Sequence, residues 1–319
     1  MKCSVCQNED TATQKFYTVK EMMFGTGETF QYMQCAQCGL LQICEIPAEM
    51  SQYYPKDKYY SLGANGLGER LKKHLSVQGY RNAIATKRIK NPLGVLRALL
   101  QPLPIHLSLF EALPHENILD IGCGCGMLLD VLASVGYRNL QGVDPFIACD
   151  VTKNNGVKLK KGSVYDIQDR YHLIMMHHSL EHMADHLSVL KKIAQLLHPN
   201  GICMIRIPVV NHAWERYREH WVQIDAPRHF YLHTQNSFGV LAKQANLHIS
   251  KVVYDSVGGQ FISSELYQKG IPLWKQTFRT QWREIGLAKI RAYHREAKQL
   301  NAAHKGDQAV FLLVPAIPP

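Results

Sequence analysis

From about residue 117 onward, short apolar runs alternate with longer mixed segments. "NILDIG", "LQGVD", "GVKLKKG", "YHLIMMH", "GICMIRIP", "HISKVVY" and "QAVFLLVP" each have strand length, and helix-like segments lie between several of them. Runs that are apolar throughout suit strands covered on both faces. The pattern therefore predicts an α/β domain over residues 116–319, with a seven-stranded, mostly parallel sheet and helices on both sides. A charged, helix-like stretch at about 259–306 enters as an insertion before the last run.

The preceding chain has a different texture. Residues 47–115 open on "QYYPKDKYY", continue through "ERLKKHLSVQGYRNAIATKRIK" and become apolar but broken by Pro92, Pro102, Pro104 and Pro114. A partly helical connector or cap is expected there. Tyr59 and Tyr60 are candidates to close over a pocket, and a basic and apolar face of this stretch would suit peripheral contact with a membrane bearing a lipid-linked substrate. Residues 1–46 hold too little apolar material for a core of their own. They contain two C-x-x-C pairs, Cys3 with Cys6 and Cys35 with Cys38, the spacing at which two knuckles place four thiolates around zinc. A structural zinc ribbon is expected, with Cys44 as a spare buried cysteine.

Composition narrows the class. With 319 residues and 46% hydrophobic content, the chain can bury one sizeable core and carry a smaller module. The start "MKCSVCQNED" lacks a basic segment leading into an apolar run, and no stretch is uncharged for long enough to cross a bilayer, so a soluble, cytoplasmic protein is expected. Nine cysteines, an odd number, speak for metal binding in a reducing compartment rather than a disulfide framework. A net charge of +10 favours anionic partners such as nucleotide-sugars, nucleic acid or phospholipid surfaces.

The first strand of the α/β part runs into "DIGCGCG", with Asp120 followed by Gly122, Gly124 and Gly126. Glycines there allow a sharp turn and close approach of a ligand to the backbone. Asp120 would repel a pyrophosphate, but it suits a ligand bearing an ammonium and a sulfonium. "GVDP" then places Asp144 at the end of the second strand, where an acid can accept hydrogen bonds from ribose hydroxyls. Together, "ILDIGCGCG", "GVDP" and "HHSLEH" resemble the class I S-adenosylmethionine-dependent methyltransferases, over about residues 117–257. The resemblance implies a Rossmann-like fold, S-adenosylmethionine as cofactor, the glycine loop against its methionyl part and Asp144 on its ribose. It also implies that Asp166 faces the adenine and that the backbone at His177 lines the pocket. Cys123 and Cys125 fall at variable loop positions.

Within "HHSLEH", His178, Glu181 and His182 also spell H-x-x-E-H, a zinc-peptidase signature. The apolar run before it reads as a strand rather than a metal-binding helix, and no third ligand is apparent in the sequence. A pocket role for His178 is favoured instead, and Glu181 and His182 are divided between pocket and structural roles.

After the fifth strand comes "IPVVNHAWERYREHWVQIDAPRHFYLHT", rich in histidine, aromatics and charge. Its "DAPRHFYLHT", with the cysteine pairs and the "YYPKDKYY" cluster, resembles zinc-ribbon-bearing methyltransferases of sugar and cell-surface polysaccharide biosynthesis. That likeness implies His229 as general base, a histidine being able to accept a proton near neutrality. Arg228 would grip a phosphate or carboxylate of the acceptor, with Asp225, Tyr231 and His233 orienting it. The sugar C-methyltransferases of this arrangement usually carry a further carboxy-terminal domain, which weighs against carbon methylation and leaves O-methylation of a saccharide or small polar acceptor open. An RNA methyltransferase and a non-catalytic binding protein on the same fold are the alternatives.

Overall fold

The computed structural model describes residues 1–54, 115–134 and 136–316. The expected connector over 47–115, with Tyr59 and Tyr60, lies almost wholly outside the described residues. The strands in chain order are β1 (Lys15–Lys20), β2 (Thr29–Gln34), β3 (Leu41–Ile43), β4 (Ile118–Ile121), β5 (Leu140–Asp144) and β6 (Val151–Thr152). They continue with β7 (Lys158–Lys161), β8 (Tyr171–His177), β9 (Leu197–Pro208), β10 (Tyr231–Leu232), β11 (Leu247–Tyr254) and β12 (Gln308–Pro315).

Residues 54–177 and 191–205 make one unit. All four residues of β4 are buried, as are most of β8, because helices rather than water cover a parallel sheet. Strand β4 pairs in parallel with β5 and with β8, and β5 pairs in parallel with β7. The two-residue β6 adds an antiparallel edge.

Residues 1–53, 178–190 and 206–319 make the other unit. Here β11 and β12 pair antiparallel along their length. Strands β4 to β8 and the greater part of β9 belong to the first of these units and β11 and β12 to this one, eight strands of the α/β part in all. Seven were expected. The eighth, β6, consists of two exposed residues and so left no hydrophobic signal in the sequence.

The second unit also holds a four-stranded antiparallel sheet in the order β1, β2, β3, β10. Three of these strands come from the amino-terminal segment, and the fourth, Tyr231–Leu232, follows "DAPRHF" directly. One apolar cluster serves both parts: Tyr32 and Leu41 pack with Trp214, Trp221, Phe230 and Phe261. Trp221 is fully buried and donates its indole N–H to Asp307 Oδ2 at 2.8 Å. Residues 259–306 contribute helices at Gly259–Gln268, Phe278–Ile285 and Leu287–Ala302. No helix among the described residues is long and apolar enough to cross a membrane.

Candidate active site

In the unit built on β4, β5 and β8, the chain leaves β4 through Gly122, Gly124 and Gly126, all at positive φ. A side chain at Gly126 would also meet Leu159 at 2.8 Å, so both conformation and space demand glycine. The Asp144 carboxylate organises this loop: Oδ2 accepts from the Gly124 N–H at 2.9 Å and Oδ1 from the Phe146 N–H at 2.8 Å. Asp120 is buried just before the loop. Burial, helped by the neighbouring charge of Asp144, pushes its carboxyl up to about 7. Cys123 packs against Gly142, and Lys153 braces the loop by donating to Cys125 O at 2.6 Å while pairing with Asp130. Asp166 is exposed and its Oδ2 accepts from Ser163 N–H and Oγ–H, capping a short helical turn. His177 closes β8, half-buried.

In the other unit the four cysteines come together. Cys3 Sγ lies 3.5 Å from Cys38 Sγ, Cys6 Sγ lies 3.5 Å from Cys35 Sγ, and all four sulfurs fall within 4.8 Å of one another. Tetrahedral zinc with bonds of about 2.3 Å needs sulfurs about 3.8 Å apart, so the set fits the ion. Each knuckle turns on a residue in the left-handed region, Gln7 after the first pair and Gly39 after the second. Gly39 is required twice over, since a Cβ there would stand 2.7 Å from Thr234 Cγ2. Cys44 lies outside this group.

Arg228 was expected to reach an anionic acceptor directly. Instead its side chain is fully buried and held by the protein itself. Nε and Nη2 donate to the two oxygens of Asp225 at 3.0 and 2.6 Å, Nη2 also reaches Glu21 Oε1 at 3.1 Å, and Nη1 donates to Tyr53 O at 3.3 Å. Burial opposes ionisation of Asp225, but the adjacent Arg228 outweighs it and holds the carboxyl below its usual range. Glu21 in turn accepts from the Phe24 and Thr26 N–H groups, so this ion pair fastens the β1–β2 loop to "DAPRH". Sequence reasoning missed Glu21 because a single acid in "TVKEMM" carries no sign of a distant partner.

His229 is 6% exposed. Its Nδ1 lies 2.7 Å from Gln223 O; a carbonyl can only accept, so Nδ1 carries the proton and Nε2 the lone pair. Nε2 stands 3.9 Å from Asp225 Oδ2, and Tyr32 Oη–H fixes the residue's backbone by donating to His229 O at 2.8 Å. The His182 ring meets that of His229 edge-on at 4.6 Å. Tyr231 Oη–H donates to Ala184 O, while His233 is buried against Ser237 and stays neutral.

His178 has φ +51° and spends both ring nitrogens within the fold. Nδ1 meets Glu181 Oε1 at 3.2 Å and Nε2 meets Arg206 Nη1 at 2.7 Å, with Arg206 Nε on Asp255 Oδ2 at 2.7 Å. Glu181 is buried, which alone would raise its pKa, but the His178 hydrogen bond and the surrounding histidines bring it down to about 2. Arg206 and Asp255 were missed, although an arginine inside the apolar "GICMIRIP" was a signal for a buried partner.

A mixed α/β sheet whose first strand opens into a glycine loop clasped by the acid of the next strand defines a nucleotide-type cofactor site. Residues 87–252, just over half of the chain, match the family model described as a methyltransferase domain. The chain belongs to that family. It is similar to the ubiquinone biosynthesis O-methyltransferase of Coxiella burnetii, at 32% identity over 124 residues, 35% of this chain and 53% of that protein. The corresponding protein of Azorhizobium caulinodans is 32% identical over 99 residues, 28% of this chain and 39% of its own length. The chain thus spans about half or less of the curated relatives it matches. Among solved structures, the cyclopropane synthase MmaA2 from Mycobacterium tuberculosis aligns over 66% of this chain and 81% of its own, at 14% identity and a TM-score of 0.41. The mitomycin 7-O-methyltransferase MmcR aligns over 66% of this chain and 52% of its own, at 10% identity and the same TM-score.

Proposed function

We propose that the protein methylates a hydroxyl oxygen of a sugar, nucleotide-sugar or surface-glycan precursor, with His229 as general base. The observation that supports this reading is the fixed tautomer of His229. The lone pair sits on Nε2, and the Asp225 carboxylate at 3.9 Å is placed to stabilise the imidazolium once a proton arrives. S-adenosylmethionine, when bound, would supply the methyl group as a sulfonium electrophile, and His229 Nε2 would take the proton of the acceptor hydroxyl as its oxygen is methylated. The glycan class rests on the resemblance of "DAPRHFYLHT" and the cysteine pairs; oxygen as the methylated atom is supported by the O-methyltransferases the chain is similar to. A second reading, an acceptor in ubiquinone biosynthesis, is favoured by the name of those relatives alone.

In this reading, Asp120, the loop from Gly122 to Gly126, the backbone at His177 and Asp144 hold S-adenosylmethionine, Asp166 flanks the adenine, and Cys3, Cys6, Cys35 and Cys38 hold a structural zinc ion. Arg228 and Asp225 keep the segment carrying His229 in place. The test is calorimetric titration with S-adenosylmethionine and NAD, then an acceptor screen. The sulfonium compound binds and NAD does not. Asp144→Ala weakens binding about 10–100-fold, because a charged acceptor of hydrogen bonds contributes about 1.5–3 kcal/mol. His229→Gln retains binding and loses about 100–10,000-fold in kcat. A chain that binds neither cofactor would sink the proposal.

Asp120 supplies a pH signature. Its carboxyl in the free protein is held up at about 7, and the cationic ligand favours the ionised form. Binding below pH 7 therefore expels a proton, so affinity rises as pH approaches 7 and levels off above it. Calorimetry at pH 6 in two buffers of different ionisation enthalpy should show proton release. Asp120→Asn abolishes that release; identical enthalpies for the wild type in both buffers would refute the assignment.

A further inference from the structure

We infer that Glu181, His182 and His229 form a second metal site, separate from the four cysteines, which takes a divalent first-row transition ion through one carboxylate oxygen and two imidazole nitrogens. One ligand atom from each residue lies within 4.8 Å of the others, close enough for a single ion to reach all three.

Three observations point to a ligand. Glu181 is 2% exposed, and its Oε2 has no hydrogen-bond partner among the described residues, while Oε1 is oriented by His178. A buried carboxylate oxygen left without a donor is costly, and a cation satisfies it. Both histidines are presented as metal ligands usually are. His182 Nδ1 lies 2.9 Å from Arg228 O and His229 Nδ1 lies 2.7 Å from Gln223 O, so each Nδ1–H is committed to a carbonyl and each Nε2 carries a lone pair. The local charge also calls for a cation. The carboxylates of Glu181, Asp225 and Glu21 stand against one guanidinium, Arg228.

The donor set selects the class of ion. Two imidazoles and one carboxylate suit zinc and its divalent neighbours, and leave a coordination position open, whereas four thiolates close the ribbon site. The H-x-x-E-H spacing offers no third ligand in sequence and would need its two histidines on one helix. The fold alters both points: His178 ends at Glu181 and Arg206, and the third ligand is His229, brought in from "DAPRH". The inference goes beyond the methyl-transfer reading and does not rest on it. An ion on His229 Nε2 would occupy the lone pair assigned there to the base, so activity of His229 variants does not separate the two and metal content does.

The test uses the whole chain without a histidine tag, its cysteine site filled with zinc, titrated with Co²⁺ and followed by absorption. The expected result is one further equivalent with ligand-field bands and no thiolate charge-transfer band. Glu181→Gln and His182→Gln each weaken it at least tenfold while the cysteine-bound zinc stays. If Glu181→Gln fails to fold, His182→Gln decides. Cobalt that appears only with the thiolate band, or an extra equivalent that neither substitution diminishes, overturns the site. Cobalt that shows nitrogen and oxygen ligation in a chain without cysteine-bound zinc would overturn the ribbon and leave this site standing.

Discussion

Removing the ion from the four cysteines, by chelation or by Cys38→Ser, should unfold the amino-terminal sheet and abolish methyl transfer while leaving S-adenosylmethionine binding in place. Structural zinc in such small modules contributes about 10–16 kcal/mol of apparent binding energy, more than the short strands β1 to β3 can replace. The loss would spread along specific contacts. Thr234 Oγ1–H donates to Cys38 O at 2.7 Å, Leu41 and Gln42 pair with Leu232 and Tyr231, and Tyr32 Oη–H holds His229 O. His229 therefore loses its seat when the ribbon melts, whereas Asp120, the glycine loop and Asp144 belong to the other unit. Elemental analysis should find an equivalent of zinc that Cys38→Ser removes. The acceptor-dependent rate should vanish, with calorimetric affinity for the cofactor changed less than about threefold. A metal-free chain with unchanged melting temperature and rate would refute the structural role of zinc.

Arg228→Met should lower stability by about 3–5 kcal/mol, the cost of stranding buried carboxylates whose counterion has been removed. Glu21 and Asp225 would then share a dry site without the guanidinium that now bridges them at 3.1 and 2.6 Å. At about 2–4 °C per kcal/mol for a unit of this size, the melting temperature should fall by about 10 °C. Arg228→Lys should fall between, because one ammonium cannot reproduce the planar set of bonds to Asp225, Glu21 and Tyr53 O. Adding Glu21→Gln and Asp225→Asn to Arg228→Met should recover part of the loss. A single variant that melts within 2 °C of the wild type would show that the buried pair does not hold the two segments together.

Much of the fold could be read from local patterns. "LQGVD", "YHLIMMH" and "QAVFLLVP" are strands with those very bounds, since a short run whose residues are mostly buried has few other ways to pair its backbone away from water. The loop from Gly122 to Gly126 was visible because positive φ at neighbouring positions selects glycine, and the cysteine pairs because their spacing fits a knuckle. The candidate site was legible only in part. His229 and Arg228 stood out as residue types, but their type says nothing about what they face. Arg228 is a buried strut to Glu21, 207 residues away, and His178 is consumed by Glu181 and Arg206.

The sequence by itself determined the alternating strands and helices, the glycine turn after Asp120, the acid at the end of β5 and the two cysteine knuckles. Each of these follows from steric or hydrophobic preferences acting over fewer than ten residues. Only the tertiary structure decided that β3 pairs with Tyr231–Leu232, that Glu21 and Asp225 share one guanidinium, and that His229 joins Glu181 and His182. Those arrangements depend on which polar groups are buried together. Burial of a charge is tolerated only where the whole fold delivers its partner, and no local pattern records that.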